Sequence, residues 1–191
     1  YDKGFQSGGF SRPDIVAVVG PQYRTYEPVT TYNYELGVKS EWLDKTLRVN
    51  AAVFYQTYDE YQVTQSIVQA GNVAISNAAE VQSQGIEADF QFLATEHLSF
   101  DGTVAYIKTE YDEFSNAPCS YILPQPGGQP PLVSPAACVR QGAGYAQDLS
   151  GETLDNAPEW TGNLGAEYRN NLPIAELEWF ARADAVYKDD V

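Results

Sequence analysis

The fold is decided by residues 32–58, which read YNYELGVKSEWLDKTLRVNAAVFYQTY. Apolar and ionic residues alternate along both halves of this stretch, and alternation with a period of two is typical of β-strands. A turn at Asp44 and Lys45 would place Glu41 opposite Arg48 as an attractive cross-strand ion pair. The stretch therefore predicts an antiparallel hairpin with one polar and one apolar face. The apolar face would carry Tyr32, Tyr34, Leu36, Val38, Trp42, Leu47, Val49, Ala51, Val53 and Tyr55.

A second hairpin of the same design is predicted at residues 83–111. An odd-length turn around Thr95 keeps its apolar side chains on one face and its polar side chains on the other. This register also places Asp89 directly opposite Asp101, which is repulsive unless a cation or a neighbouring arginine lies between them. We therefore expect either a weakness in this register or a positive charge near the two carboxylates.

A third hairpin is predicted at residues 159–187, with its turn at Asn170 and again one apolar face. That face would carry Trp160, Leu164, Ala166, Tyr168, Leu177, Trp179, Ala181, Ala183, Ala185 and Tyr187. Residues 1–10 are typical of the end of a further strand, although three glycines leave its limits open.

The predicted connections alternate between short turns and long links. Short turns are expected at Asp44, Thr95 and Asn170, and long links at residues 11–30, 63–80 and 110–158. Because antiparallel neighbours alternate in direction, all the short turns lie at one end of the sheet and all the long links at the other. This asymmetry is typical of outer-membrane β-barrels, which have short periplasmic turns and long extracellular loops.

The apolar faces could contact either lipid or a second protein layer, because a soluble β-sandwich shows the same alternation. The strands at 31–42 and 47–58 run about twelve residues, well above the five or six usual in globular proteins. At about 3.3 Å per residue and a tilt near 40°, residues 32–42 cover about 25 Å along the membrane normal, the height of the apolar band of a membrane barrel. Aromatic residues at both strand ends also favour lipid. The predicted fold is all-β, an antiparallel transmembrane β-barrel segment of about six or seven strands.

Charge and hydropathy exclude several classes of protein. The 191 residues include 26 acidic and 11 basic side chains, which gives a net charge of −15. This charge disfavours nucleic acid as a partner, since phosphate binding needs clustered lysine and arginine. No run of about 18 apolar residues occurs, so no membrane-spanning helix is predicted. The two cysteines, Cys119 and Cys138, lie in a region rich in proline and glycine. We expect a disulfide between them, as in an oxidising compartment, with two free thiols as the alternative.

Several motifs, in order along the chain, resemble the barrel domain of TonB-dependent outer-membrane receptors. They are Tyr34–Lys39 (YELGVK), Phe54–Tyr55, Asn77–Ala78, Gly85–Glu87 (GIE) and Ala157–Trp160 (APEW), and Lys3–Phe10 is similar to the preceding strand. The resemblance spans nearly the whole chain. It implies localisation in the bacterial outer membrane, with membrane lipid against the apolar faces.

Members of this family carry nutrients such as ferric siderophores, cobalamin or oligosaccharides across the outer membrane, driven by an inner-membrane energising complex. The resemblance therefore implies a transporter with a small-molecule or chelate substrate. The TonB complex would be a partner through an N-terminal region missing from this chain. Such transporters have about 22 strands and a plugged lumen. We expect residues 1–191 to be part of the barrel domain, without the plug domain and the barrel C terminus.

No catalytic site, metal site or cofactor is expected. The single histidine, His97, lies beside a predicted short turn. Without a second histidine or a serviceable cysteine, neither a zinc site nor a nucleophile–base pair can be assembled. The sequence therefore predicts a protein that is not an enzyme.

Substrate contacts are expected from aromatic residues at the extracellular rim, namely Tyr58, Tyr61, Tyr111 and Phe114. Their ring faces could stack on sugars or chelate rings. The alternative is that they only pack within the loops or belong to an aromatic girdle. A hypothesis from another class is a secreted, soluble β-sandwich that binds carbohydrate through the same aromatic loops.

Overall fold

The computed structural model describes residues 1–67, 72–118, 139–141, 144–154, 156–172 and 177–190. Its strands are β1 (Asp2–Gln6), β2 (Gly9–Phe10), β3 (Thr25–Tyr26), β4 (Val29–Trp42), β5 (Leu47–Ile67), β6 (Asn72–Leu93), β7 (Leu98–Glu113), β8 (Ala117–Pro118), β9 (Val139–Gln141), β10 (Gly144–Gln147), β11 (Trp160–Asn171) and β12 (Glu178–Lys188). A short helix, α1 (Pro13–Val19), and a 3-10 turn at Pro21–Tyr23 lie between β2 and β3.

Seven strands form the main antiparallel sheet, in the order β1-β4-β5-β6-β7-β11-β12. Two small sheets, β8-β10-β9 and β2-β3, contain the other strands. The main sheet confirms the predicted all-β segment, and within the described residues it ends at β1 and β12 and does not close. The chain divides into two compact units. Unit 1 comprises Tyr1–Asn33, Gln56–Gln82 and Glu110–Leu154, and unit 2 comprises Tyr34–Tyr55, Ser83–Thr109 and Asp155–Val191.

The turn between β4 and β5, in unit 2, lies where the sequence predicts it. Asp44 and Lys45 have φ values of 54° and 72°, the left-handed conformation that tight hairpin turns require. Arg48 Nη2 lies 3.2 Å from Glu41 Oε1 across the two strands. The predicted ion pair, and with it the register of this hairpin, is confirmed.

Ser40 is a polar side chain within the apolar row of β4. Its hydroxyl donates to the Val49 carbonyl oxygen at 2.7 Å and accepts the indole N–H of Trp42 at 3.0 Å. Because a polar group in an apolar medium is costly unless it is hydrogen-bonded, these two bonds explain how a serine fits this face.

The turn between β6 and β7 differs from the predicted one. The Ala94 N–H donates to the Leu98 carbonyl oxygen at 2.9 Å, and the Leu98 N–H donates to Thr95 Oγ1 at 3.0 Å. These bonds close a turn of three residues and place each β6 residue opposite a β7 residue two positions away from the predicted one. The predicted opposition of Asp89 and Asp101 is therefore wrong. Since a shift of two positions preserves the faces of a strand, the predicted apolar and polar faces survive.

The pairing of β11 with β12 sets the two predicted apolar faces side by side. The predicted turn at Asn170 is wrong, because Asn170 is paired with Trp179 inside the hairpin. An ion pair between Arg169 Nη1 and Glu178 Oε1, at 3.2 Å, lies beside this last part of the ladder. A cross-strand ion pair of this kind favours continued pairing, and the chain reverses only beyond Asn171.

In unit 1, the expected long link at residues 63–80 is wrong. Strand β5 has 21 residues and ends at Ile67, while β6 has 22 residues and begins at Asn72. Two β6 residues, Ala79 and Val81, are buried in a small core with Phe114 and Ala117. Burial of apolar side chains stabilises the outer parts of these strands, which is why they extend past the predicted ends.

The apolar row of β4 is not packed against protein in the described part of the chain. Leu36, Val38 and Trp42 are 76%, 59% and 60% exposed. A sandwich core would bury such side chains almost completely. No helix among the described residues is long and apolar enough to span a membrane.

Candidate functional site

Unit 1 contains the four aromatic residues that the sequence suggests for ligand contact. The first pair, Tyr58 and Tyr61, would point to opposite faces of a regular strand because side chains alternate. Between them, Glu60 has φ 58°, which is typical of a β-bulge. The bulge brings both rings to the same face, where they form an edge-to-face contact with centroids 6.0 Å apart.

The second pair lies at the end of β7. The rings of Tyr111 and Phe114 have centroids 4.9 Å apart. Phe114 is only 3% exposed and belongs to the small core, and both tyrosines of β5 together with Tyr111 pack against that core. The four predicted residues are thus brought together in one cluster, which we call the aromatic cluster. Ring contact with a ligand stays a prediction, and Phe114 has little free surface for it.

A segment that follows β10 adds to the edge of β7 beside the aromatic cluster. The Leu149 N–H donates to the Phe114 carbonyl oxygen at 3.0 Å, and the Gly151 N–H donates to the Tyr111 carbonyl oxygen at 2.7 Å. The Phe114 N–H donates to Ser150 Oγ at 2.9 Å. The main chain at Tyr111 and at Phe114 is therefore held by hydrogen bonds.

The carboxylate of Asp148 stabilises the turn of this segment. Its bonds with the Ser150 hydroxyl and with the Ser150 N–H, the latter at 2.9 Å, hold the pKa of Asp148 below its ordinary value. Hydrogen bonds to the charged form of a carboxyl group favour that form. The segment is thus fixed in part by a negative charge.

The polar face of unit 2 contains an ion bridge across three strands. The guanidinium of Arg182, on β12, is bidentate to Asp101 on β7 at 2.8 and 3.0 Å and also contacts Asp184 at 2.7 Å. Between them, on β11, lies Gly165, where any Cβ would meet the guanidinium. The sequence suggested an arginine near Asp101 but did not identify Arg182. A glycine on the polar face between two acids is the signal that could have pointed to it.

Other predicted sites give no further chemistry. His97 accepts the Arg169 N–H at its carbonyl oxygen, at 2.8 Å, and its ring lies 6.0 Å from the ring of Tyr168. It is a turn residue. Among the described residues, no three side chains of the histidine, cysteine, aspartate and glutamate types are grouped to hold a metal ion. The predicted disulfide of Cys119 and Cys138 lies outside the described residues.

An antiparallel sheet with long strands and an exposed apolar face is typical of the wall of a membrane-spanning β-barrel. The family profile described as "TonB dependent receptor-like, beta-barrel" matches residues 1–191. The chain belongs to this family, and its place is the bacterial outer membrane. The hypothesis of a soluble β-sandwich is therefore wrong.

Two solved structures share the fold. The ferric yersiniabactin uptake receptor FyuA from Yersinia pestis aligns with a TM-score of 0.54 and 15% identity, over 90% of this chain and 20% of the receptor. The siderophore receptor PiuA from Acinetobacter baumannii aligns with a TM-score of 0.50 and 15% identity, over 95% of this chain and 26% of the receptor. The chain thus spans about a fifth to a quarter of the length of these receptors.

Proposed function

We propose that this chain is part of the barrel wall of an outer-membrane receptor that takes up a scarce nutrient by energy-coupled transport. The observation that carries the proposal is the exposed apolar row of β4 within a sheet of the TonB-dependent receptor family. A row with Leu36 at 76% exposure is stable only where lipid covers it. Membrane lipid is accordingly the partner of this face.

The polar face would then line the barrel interior. It carries charged groups of both signs that are already paired, such as Arg182 with Asp101 and Arg48 with Glu41. Exposed pairs of this kind are screened by water, and each contributes little to stability. We infer that the wall guides a substrate by its shape and charge, without covalent chemistry.

We infer that the substrate is a ferric siderophore. Cobalamin and oligosaccharides are the alternative substrate classes. Support comes from the fold, which is shared with receptors for siderophores. The TonB energising complex would act through a region of the receptor outside these 191 residues. Substrate capture would involve the extracellular connections near the aromatic cluster, whose tyrosines Tyr58, Tyr61 and Tyr111 are partly exposed.

The test uses the complete receptor that contains this chain, produced in cells that lack their own siderophore receptors. Uptake of radioactive iron supplied as several ferric siderophores is compared with uptake of labelled cobalamin and of a labelled oligosaccharide. We expect iron uptake from at least one siderophore, abolished when the energising complex is deleted. Uptake of cobalamin or oligosaccharide alone would overturn the siderophore assignment, and no energy-dependent uptake of any kind would overturn the transport function.

A further inference from the structure

Residues 7–28, which connect β1 to β4 in unit 1, form a loop with its own internal order, which we call the 7–28 loop. Its two ends meet in the pairing of β2 with β3. Gly8 lies so close to the main chain of Tyr26 and Glu27 that a Cβ would collide there. Inside the loop, the Ser11 N–H donates to the Arg24 carbonyl oxygen at 3.0 Å. The loop is thus closed on itself.

Asn77, on β6, binds this loop through main-chain groups. Its Oδ1 accepts the Glu27 N–H at 2.6 Å, and its Nδ2 donates to the Glu27 carbonyl oxygen at 2.9 Å. The same Nδ2 donates to the carbonyl oxygen of the bulge residue Glu60 at 2.7 Å. One amide therefore joins three main-chain groups, and it uses both of its donors and its acceptor.

Gln62, on β5, binds both ends of the loop. Its Nε2 donates to the carbonyl oxygens of Ser7 and Glu27 at 3.1 and 3.0 Å, while its Oε1 accepts from Gln6 Nε2 at 3.1 Å. The two amide side chains thus hold the place where the loop begins and the place where it ends. Neither contact depends on which side chains the loop carries.

We propose that Asn77 and Gln62 are positioning residues that clamp the 7–28 loop to β5 and β6, and that loss of the clamp releases the loop as one body with its internal structure intact. The bonds inside the loop do not involve either amide, so they persist when the clamp opens. This inference concerns the attachment of the loop and does not rest on the transport function.

The test is hydrogen exchange of single amides in the complete receptor in detergent micelles, since exchange reports local opening. In Asn77→Asp at neutral pH, the carboxylate still accepts the Glu27 N–H, but it loses both donor bonds and faces the carbonyl oxygens of Glu27 and Glu60. We expect the Glu27 amide to exchange about tenfold faster or more, because each of the two lost hydrogen bonds is worth roughly a fivefold change in an opening equilibrium. The Ser11 amide should keep its protection, as should the Gly20 amide, which donates to the Val16 carbonyl oxygen inside α1.

Acidification provides a signature that a general loss of structure would not give. Once protonated, the carboxyl group introduced by Asn77→Asp again offers one donor and one acceptor, so protection of Glu27 should recover in this variant as the pH falls. The matched control is Asn116→Asp, because within the described part of the chain the Asn116 amide donates to the neighbouring Ser115 hydroxyl alone, at 3.4 Å. It should leave Glu27 unchanged.

Gln62→Ala is a second variant in case Asn77→Asp does not fold. It should speed exchange at Glu27 in the same way and leave Ser11 protected. Two results would overturn the proposal. One is an unchanged Glu27 amide in both variants. The other is a parallel loss of protection at Glu27 and Ser11, which would mean that the amides hold the loop together internally.

Discussion

At the scale of single residues, Gly165 shows how an absent side chain permits an interaction between others. The guanidinium of Arg182 passes over Gly165 to reach Asp101 two strands away. Because any Cβ would occupy the position of the guanidinium, the ion bridge and the glycine depend on each other. Glycine in a strand interior weakens the strand, and at this position it leaves the room that the bridge needs.

We predict that Gly165→Ala displaces the guanidinium of Arg182 and lowers the thermal stability of the complete receptor in micelles. The measurement is the melting temperature by circular dichroism. The control is Gly37→Ala, also in a strand of unit 2, where the nearest atom to a new Cβ is the Ala51 carbonyl oxygen at 3.4 Å, an ordinary contact. Equal melting temperatures for the two variants would contradict the predicted loss of stability.

A second prediction concerns pH and Asp148. Its pKa is held below the ordinary value by Ser150, so the carboxylate stabilises the folded segment above the unfolded pKa, about 3.9. This contribution is lost as the pH falls through the lower, folded pKa. We expect the Ser150 amide to lose exchange protection in that acidic range, and Asp148→Asn to remove this pH dependence. An identical pH dependence in Asp148→Asn would contradict the assignment.

At the scale of strands, the two faces of the hairpins were predictable because side-chain alternation has a period of two. The register of β6 with β7 was not predictable, since it depends on one Thr95 hydroxyl that accepts a main-chain N–H. The bulge at Glu60 also gave no signal in the sequence, because glutamate rarely adopts a positive φ. The same bulge brings Tyr58 next to Tyr61, so the site residues could be named but their packing could not.

The apolar and polar faces of β5 can be tested separately by charge. Val53→Arg should impair membrane assembly by roughly 2 to 4 kcal/mol if it lies near the bilayer midplane. Asn50→Arg should be tolerated, because the Asn50 amide already donates to the Asp89 carboxylate at 3.0 Å, and the positive charge of an arginine would pair with this carboxylate. The change in the free energy of membrane assembly is measured for each variant by folding the complete receptor into lipid vesicles and detecting the folded barrel by its gel mobility. Similar losses for both variants would contradict the assigned faces.

At the scale of the whole chain, the main sheet ends at β1 and β12 within the described residues. Every residue of β12 is exposed, and an unpaired strand edge promotes association with other strands. We predict that the isolated 191-residue chain aggregates in plain buffer and stays dispersed only in detergent. Light scattering after removal of detergent is the measurement. A stable monomer in plain buffer would contradict the assignment of the exposed apolar row of β4 as the surface that contacts lipid.

The attachment of the 7–28 loop has a consequence for how such a protein can diversify. Asn77 and Gln62 bind the loop itself through peptide groups at its ends, so these contacts do not depend on the identity of residues 11–24. New sequences can therefore be exchanged into that interval while the anchoring points stay the same. We therefore expect that the sequence of this interval can change, in evolution or by insertion of a foreign peptide, without disturbing the sheet to which the loop is attached.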